Sequence, residues 1–166
     1  AAVIEGLQTL ISGAAEQAGL TNEDVLEIVL VGNPVMHHLL LGIDPVELGG
    51  APFALAVDTS VEIRASELGI DVHPGGRVYV LPCIAGHVGA DAAGVVLAEA
   101  PQKHDEYTLV VDVGTNAEIV VGNSQRMLAA SSPTGPAFEG AQISSGQRAA
   151  PGAIERIRVD KDTLEP

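Results

Sequence analysis

The chain has 166 residues, of which 46% are apolar and only 2% aromatic, and its formal net charge is -14 at pH 7. That length suits one ordinary domain or two small lobes, with a core built from Ala, Val, Leu and Ile because Trp is absent. An excess of 22 acidic over 8 basic residues argues against binding to nucleic acids or anionic membranes, both of which need a basic surface.

Cysteine content and hydropathy indicate in which cellular compartment the protein works. Cys83 is the only cysteine, so the chain forms no internal disulfide and cannot by itself hold an iron–sulfur cluster or a four-thiolate zinc ion. The longest apolar stretches are interrupted well before membrane-spanning length, and the first residues lack a signal-peptide pattern. We therefore expect a soluble protein in the reducing cytoplasm.

Residues 2–41 are predicted to form a helix, a strand and a second, short helix, in that order. Apolar residues at helical spacing predict a helix over 2–18, ended by Gly19. Because this helix begins abruptly and without a cap, we expect the chain to be a piece of a longer protein. A buried strand is predicted at 27–32, followed by a short helix from Pro34 to Leu41 that Asn33 can cap.

The turn at Gly32 and Asn33 has two interpretations. A strand followed by a capped helix presents N–H groups where α/β sheets bind ligands, but it is also a simple corner, and we favour the structural role. His37 and His38 lie in the short helix at neighbouring positions, about 100° apart, so they cannot chelate one metal ion together. We expect each to be a buried or boundary histidine with its hydrogen bonds satisfied.

Pro and Gly residues break up the stretch 42–76, so irregular structure is expected there, with one strand near 61–64. A second buried strand is predicted at 77–81, and a helix of small residues ends at about Glu99. Asp91 lies in the first turn of that helix, where the helix dipole stabilises a carboxylate. A position facing a nucleotide is the alternative for Asp91.

The stretch 109–121 carries the strongest candidate site. Two β-branched runs flank Gly114, Thr115 and Asn116, which predicts a hairpin with Asp112 at the end of its first strand. Gly114 lets a ligand approach the backbone and can take a positive φ, and the next two residues place side-chain donors beside N–H groups that suit a phosphate. Asp112 is placed to hold magnesium or to orient an attacking water. An Asp before a Gly-rich turn is also common in ordinary hairpins, and that alternative stays open.

A third strand is predicted at 125–130, so the residues from 109 to 130 form an antiparallel meander. The stretch 131–141, which includes Glu139, is rich in small and hydroxyl residues, as in a loop that approaches a ligand; a plain surface loop has the same composition. A half-exposed strand is predicted at 153–159. The fold class is α/β. The Gly-rich phosphate-loop, dinucleotide and His-Glu-x-x-His patterns are all absent, which removes the commonest nucleotide and zinc signatures.

Four motifs taken together resemble one family. They span Val31 to Gly42, Gly86 to Asp91, Asp112 to Ile119 and Gly135 to Gly140, and their combination is similar to the ATP-dependent reductive activators of corrinoid proteins. That family resembles the wider superfamily of acetate and sugar kinases, heat-shock chaperone ATPases and actin. The resemblance implies an actin-like, ribonuclease H-like ATPase fold, with a mixed sheet, the antiparallel three-stranded meander and flanking helices.

The resemblance also implies roles for individual residues. Asp112 would be the catalytic residue and the Mg²⁺ ligand. The residues expected to contact ATP lie in the hairpin and in the loop after the meander: Gly114, Thr115, Asn116, Gly135 and Glu139. A 2Fe–2S cluster belongs to a ferredoxin-like domain that the family carries ahead of the ATPase-like part, and that domain is missing here.

On this resemblance, 1–100 comprise the end of the first lobe, an irregular connecting region and the small-residue helix. The second lobe starts within 107–166 with the phosphate-binding hairpin, and the polar linker 101–106 marks the boundary. Ala117 stands where the family usually has Gly, and Ser132-Pro133-Thr134 replaces a more Ala-rich stretch. The first lobe's own phosphate hairpin and the late adenosine-binding segment are not visible, so we expect half a nucleotide site.

The function implied is that of an ATPase-type activator, inactive as this fragment, that drives reduction of a Co(II) corrinoid on a partner methyltransferase system. ATP is needed because this reduction is uphill for a cellular donor, and hydrolysis can drive a conformational change that shifts the equilibrium. The corrinoid protein and ATP are the expected partners, and a homodimer is compatible with the resemblance. The alternatives are a small-molecule kinase of the same superfamily and a non-catalytic docking module for the corrinoid protein.

Overall fold

The computed structural model describes residues 2–114, 116–133, 151–152 and 158–163. Within these ranges the helices are α1 (Ala2–Gln17), α2 (Pro34–Leu40) and α3 (Ala90–Glu99). The strands are β1 (Glu27–Leu30), β2 (Val61–Arg64), β3 (Arg77–Val80), β4 (Thr108–Val113), β5 (Asn116–Gly122) and β6 (Met127–Pro133). The described residues fall into two compact units, one within Ala1–Asp112 and Glu118–Ser131 and the other within Val113–Ala117 and Ser132–Pro166.

The first sheet is mixed and has the order β1–β3–β2, with β1 parallel and β2 antiparallel to β3. Directly paired residues point to the same face, so the register separates an apolar face from a charged one. Val78 and Val80, at the centre of the apolar face, are 0% and 1% exposed. The apolar face comprises Ile28, Leu30, Val61, Ile63, Val78 and Val80, and the charged face includes Glu27, Glu62, Arg64 and Arg77.

The prediction of a fully buried first strand is wrong. Burial in β1 alternates along the strand, and Val29 is 57% exposed. The reason is that only the face that carries Ile28 and Leu30 packs on the core, whereas Val29 lies on the opposite, charged face of the sheet.

Helix α1 covers the apolar face of this sheet. Ile4, Leu7 and Ile11 recur at helical spacing and pack against the buried core cluster. The helix ends where the sequence predicts, at Gly19, which adopts a φ of 72°. The N–H of Leu20 donates to the carbonyl of Ala15 at 2.8 Å and the N–H of Gly19 to Glu16 at 3.0 Å. This bond pair satisfies the last helical carbonyls and needs a left-handed residue, which glycine adopts most readily.

The second sheet is the predicted antiparallel meander, in the order β4–β5–β6. Its second turn is closed by the N–H of Asn123 donating to the carbonyl of Arg126 at 2.9 Å. Gly122 has no room for a side chain, because an added Cβ would collide with the carbonyl oxygen of Arg126 and would lie 2.6 Å from Cα of Met127. The third strand is displaced from its predicted range of 125–130, since Gln125 and Arg126 precede it and Ser131 to Pro133 belong to β6 and not to the loop.

The linker before the meander is bonded to this second turn. Asn123 Nδ2 donates to the carbonyl of Asp105 at 2.8 Å, and the N–H of Ser124 donates to the carbonyl of His104 at 2.7 Å. Ser124 Oγ donates to the Asp105 carboxylate at 2.8 Å. Two backbone carbonyls of the linker are therefore held by one two-residue segment of the meander.

The strand predicted at 153–159 falls mainly on 153–157, outside the described residues. Among the helices that the structure describes, none is long and apolar enough to cross a membrane.

Candidate functional site

Asp112 is the penultimate residue of β4 and is half-buried. Alternation along β4 puts it on the same face as Val110, while Leu109 and Val111 on the opposite face are 64% and 49% exposed. Among the described residues, no hydrogen bond or ion pair engages the Asp112 carboxylate. Nothing among the described residues therefore fastens this carboxylate to the turn at Gly114.

The turn after β4 uses Gly114 and Asn116 in its own closure. The N–H of Gly114 donates to the carbonyl of Asn116 at 2.8 Å. The positive φ that the sequence allowed for Gly114 is not adopted, and an added Cβ would meet the Asn116 oxygen at 3.5 Å, an ordinary contact. The local backbone does not require glycine at this position.

Three of the predicted ligand residues, Thr115, Gly135 and Glu139, lie outside the described residues. In the part of the chain that the structure describes, no group of three or more His, Cys, Asp or Glu side chains could hold a metal ion. A single carboxylate nevertheless fits Mg²⁺, which keeps several waters and takes one or two carboxylates together with phosphate oxygens. Asp112 supplies a donor of that kind.

The turn at Gly32 and Asn33 has the structural role that we favoured. Asn33 Oδ1 accepts from the N–H of Met36 at 2.9 Å and so caps α2. The carbonyl of Gly32 accepts from the N–H groups of Ala90 at 2.9 Å and Asp91 at 3.3 Å, at the start of α3. The N–H groups of Met36 in α2 and of Ala90 and Asp91 in α3 are therefore bonded within the chain.

Two of the motifs that carry the family resemblance meet at this turn. Gly89 packs so closely on it that an added Cβ would lie 2.7 Å from Cα of Asn33 and 2.7 Å from the carbonyl oxygen of Gly32. Asp91 Oδ1 accepts from the N–H of Ala92 at 2.9 Å, within the first turn of α3. Gly89 thus allows the start of α3 to pack directly on the turn at Gly32 and Asn33, and Asp91 bonds within the first turn of α3.

The two adjacent histidines differ in their hydrogen bonds. His38 is 1% exposed; its Nδ1 lies 2.9 Å from the carbonyl of Pro34, and its Nε2 accepts from the N–H of Ala56 at 3.0 Å. Those partners fix the tautomer with the proton on Nδ1 and confirm the predicted satisfied histidine. His37 is 2% exposed, and neither ring nitrogen has a partner among the described residues, so the same prediction is wrong for it. Burial, with a smaller contribution from His38, lowers the pKa of His37.

Cys83 is a buried thiol and not a ligand. Its side chain is 4% exposed, and burial raises its pKa, which keeps the sulfur protonated and unreactive. One thiol of this kind does not fit a 2Fe–2S cluster, which is held by four cysteines.

Sequence reasoning missed an apolar cavity of about 340 Å³ that His37 lines together with residues of α1, α2, β1 and β3. The sequence shows that Met36 and Leu39 of α2 are apolar. Only the structure shows that they are 61% and 46% exposed. An amphipathic pattern alone does not show which apolar residues of a short helix border a cavity.

Comparison with known families gives two adjoining matches. Residues 1–104 match the RACo middle region, and residues 106–166 match the C-terminal domain of RACo, the ASKHA domain.

Individual relatives agree with these matches. The chain is 35% identical over 156 residues to the corrinoid activation enzyme RamQ of Eubacterium limosum, covering 94% of this chain and 26% of RamQ. It is 44% identical over 78 residues to a Co(II) methylated amine-specific corrinoid protein reductase of Methanosarcina barkeri, covering 47% of this chain and 14% of the reductase.

A solved structure is similar over nearly the whole chain. It is a reductive activator for corrinoid, iron–sulfur protein, with a TM-score of 0.78 and 35% identity, and the match covers 98% of this chain and 26% of that one. The chain thus spans about a quarter of the length of RamQ and of this activator. It belongs to the RACo family of reductive activators of corrinoid proteins, with residues of both the middle region and the C-terminal ASKHA domain.

Proposed function

We propose that this chain is part of an ATP-dependent activator that drives the reduction of a Co(II) corrinoid on a partner protein. The observation that carries the proposal is the Asp112 carboxylate, unengaged among the described residues at the end of β4, in a chain whose second part matches an ASKHA domain. A carboxylate that has no partner among the described residues and that lies beside a glycine turn suits a magnesium ion bound to phosphate.

In this proposal Asp112 holds Mg²⁺ or orients the water that attacks the terminal phosphate. Gly114 lets the phosphates approach the backbone, and Asn116 offers its side-chain amide as a donor. The remaining phosphate contacts would come from Thr115, Gly135 and Glu139. When bound, Mg²⁺ supplies positive charge that neutralises the phosphate oxygens. This charge also offsets the net negative charge of the chain, which would otherwise repel ATP.

The electrons in this scheme come from outside the chain. The single thiol, Cys83, is buried, so a 2Fe–2S cluster would be held by a separate ferredoxin-like domain. We propose that the linker 101–106 divides the first lobe, within 1–100, from the second lobe, within 107–166. The meeting of the two family matches between residues 104 and 106 supports that division.

The proposal is tested by Asp112→Asn in the activator that contains this chain. The substitution keeps the size of the side chain but removes its charge, so ATP turnover and ATP-dependent corrinoid reduction should fall together by about 10²-fold or more. Both rates are measured on one preparation, beside Asp58→Asn, which removes an equal charge from an exposed loop residue and should leave both unchanged.

Thermal melts of the same preparations separate catalysis from folding. Because the described residues give the Asp112 carboxylate no partner, Asp112→Asn should melt within a degree or two of the parent protein. A variant with parental turnover per folded molecule and a clearly lower melting temperature would show that Asp112 is a structural residue.

A further inference from the structure

Glu118 lies on β5 at the position that faces Asp112 across the antiparallel ladder. The N–H of Gly114 donates to the carbonyl of Asn116 at 2.8 Å, and a ladder bond of this kind joins residues that face each other on two antiparallel strands. Two positions further along each strand, Asp112 on β4 therefore faces Glu118 on β5. Side chains of facing residues project from the same face of a sheet, with their Cβ atoms about 4.5–5.5 Å apart.

Burial along the two strands agrees with this register. On β4, Asp112 is half-buried and Val111, on the other face, is 49% exposed. On β5, Val120 lies on the face of Glu118 and is 4% exposed, whereas Val121 on the other face is 37% exposed. Both carboxylates therefore lie on the more buried face of the meander.

The third strand of the meander bonds to Glu118 from its other side. The N–H of Asn123 donates to the carbonyl of Arg126 at 2.9 Å, so the same count along β5 and β6 sets Ser131 opposite Glu118. Ser131 Oγ donates to Glu118 Oε1 at 3.1 Å. No other hydrogen bond engages the Glu118 carboxylate among the described residues, so this bond alone orients it there.

Two carboxylates that face each other are unfavourable in the empty protein. Like charges directly opposite one another destabilise a sheet, and no Lys, Arg or His of the described residues forms an ion pair with Asp112 or Glu118. A divalent cation attracts both carboxylates and so relieves their repulsion. Mg²⁺ takes one or two carboxylates together with phosphate oxygens and waters, and this pair matches that number.

We propose that Glu118 is the second carboxylate of the Mg²⁺ site that Asp112 begins, and that Ser131 is a positioning residue that orients Glu118. This inference rests on the proposed function, because the site is the one assigned there to Asp112. Paired strands hold the two carboxylates at a fixed spacing before the cation arrives. Less conformational freedom is then lost when Mg²⁺ binds with its nucleotide.

The test measures how much Mg²⁺ nucleotide binding requires, without catalysis. A non-hydrolysable ATP analogue is bound to the activator that contains this chain, and the Mg²⁺ concentration that gives half-saturation is recorded. Glu118→Gln should raise that concentration about 10-fold or more, because the amide still accepts from Ser131 but has lost the charge. Glu106→Gln, which removes an equal charge from an exposed linker residue, should leave it unchanged.

Two substitutions at Ser131 test the positioning role. Ser131→Ala removes the hydroxyl that bonds to Glu118 and should raise the half-saturating Mg²⁺ concentration about 3- to 10-fold. Ser131→Thr keeps a hydroxyl on a residue that suits a strand, and it should retain the parental value. A parental Mg²⁺ requirement in Ser131→Ala would overturn the role of Ser131.

Thermal melts without Mg²⁺ and nucleotide test the structural alternative, in which Glu118 only fastens β6. Because Glu118→Gln removes one of two facing charges and keeps the acceptor for Ser131, it should melt no lower than the parent activator. A lower melting temperature together with a parental Mg²⁺ requirement would establish the structural alternative.

Asp112→Asn in the same Mg²⁺ titration separates this inference from the proposed function. If Asp112→Asn raises the Mg²⁺ requirement and Glu118→Gln does not, the proposed function stands and the second carboxylate is refuted. If neither substitution raises it, the nucleotide site assigned to Asp112 is refuted as well.

Discussion

At the scale of single residues, the side chains of Asp112 and His37 both have no hydrogen-bond partner among the described residues. They differ in burial. Asp112 is half-buried at a strand end, where solvent can satisfy its carboxylate. His37 is 2% exposed, and its two ring nitrogens are shielded from solvent. A polar group in the first position costs the empty protein little, because water can bond to it, whereas an unpaired polar group in the second costs stability.

His37 gives the chain a pH-dependent stability of defined sign. Burial lowers its pKa, so the unfolded chain binds a proton at a higher pH than the folded chain does. The contribution of His37 to stability is therefore complete above about pH 6.5, the ordinary pKa of histidine, and declines as the pH falls. The slope is at most about 1.4 kcal/mol per pH unit.

Urea unfolding of the parent chain and of His37→Leu between pH 5 and 8 measures this contribution. Subtracting the two profiles removes the other titrating groups, and the difference should be flat above pH 6.5 and should change below it. A difference that is flat throughout, or one in which the parent gains stability relative to the variant on acidification, would contradict the assignment.

At the scale of elements, the caps and turns decide where helices and strands begin and end. Asn33→Ala should lower the free energy of unfolding by about 1 kcal/mol, because it leaves the N–H of Met36 at the start of α2 without its acceptor. Chemical denaturation measures the loss. Asn33→Asp is the matched control: it keeps the acceptor oxygen and places a negative charge at the helix N-terminus, so stability should be retained.

These local signals are the ones that sequence reasoning finds. The stop at Gly19, the cap at Asn33 and the hairpin at Gly114 each depend on residues within about four positions, and the structure confirms all three. The continuation of β6 to Pro133 was missed because its residues have loop composition, whereas pairing with β5 decides their conformation. One cross-strand contact there joins Ser131 Oγ to the Glu118 carboxylate at 3.1 Å.

The candidate site was predictable from the sequence only where it depends on neighbouring residues. A strand, an aspartate and a glycine turn are consecutive in sequence, so the position of Asp112 at a strand end follows from pattern alone. The hydrogen-bond state of His37 does not, because it depends on α1, β1 and β3, which meet α2 only in the folded chain. The exposed side of β1 was missed for the same reason, since the folded chain decides which face of the sheet packs on the core.

At the scale of the whole molecule, the proposed function gives this chain one phosphate-binding hairpin, and the family resemblance implies a nucleotide site that closes between two lobes. We therefore expect the 166-residue chain to bind Mg·ATP in the millimolar range or not at all, because one hairpin provides only part of the contacts. Isothermal titration calorimetry with the chain and with Asp112→Asn measures this. Micromolar affinity that the substitution abolishes would show that this chain alone carries a complete site that uses Asp112.

The bonds between the linker and the second turn of the meander bear on how such an activator could move. With the carbonyls of His104 and Asp105 both held by Asn123 and Ser124, this stretch cannot serve as a slack tether. We therefore expect His104 and Asp105 to move together with the β5–β6 turn. A tryptic cut after Lys103 would leave both residues attached to the meander.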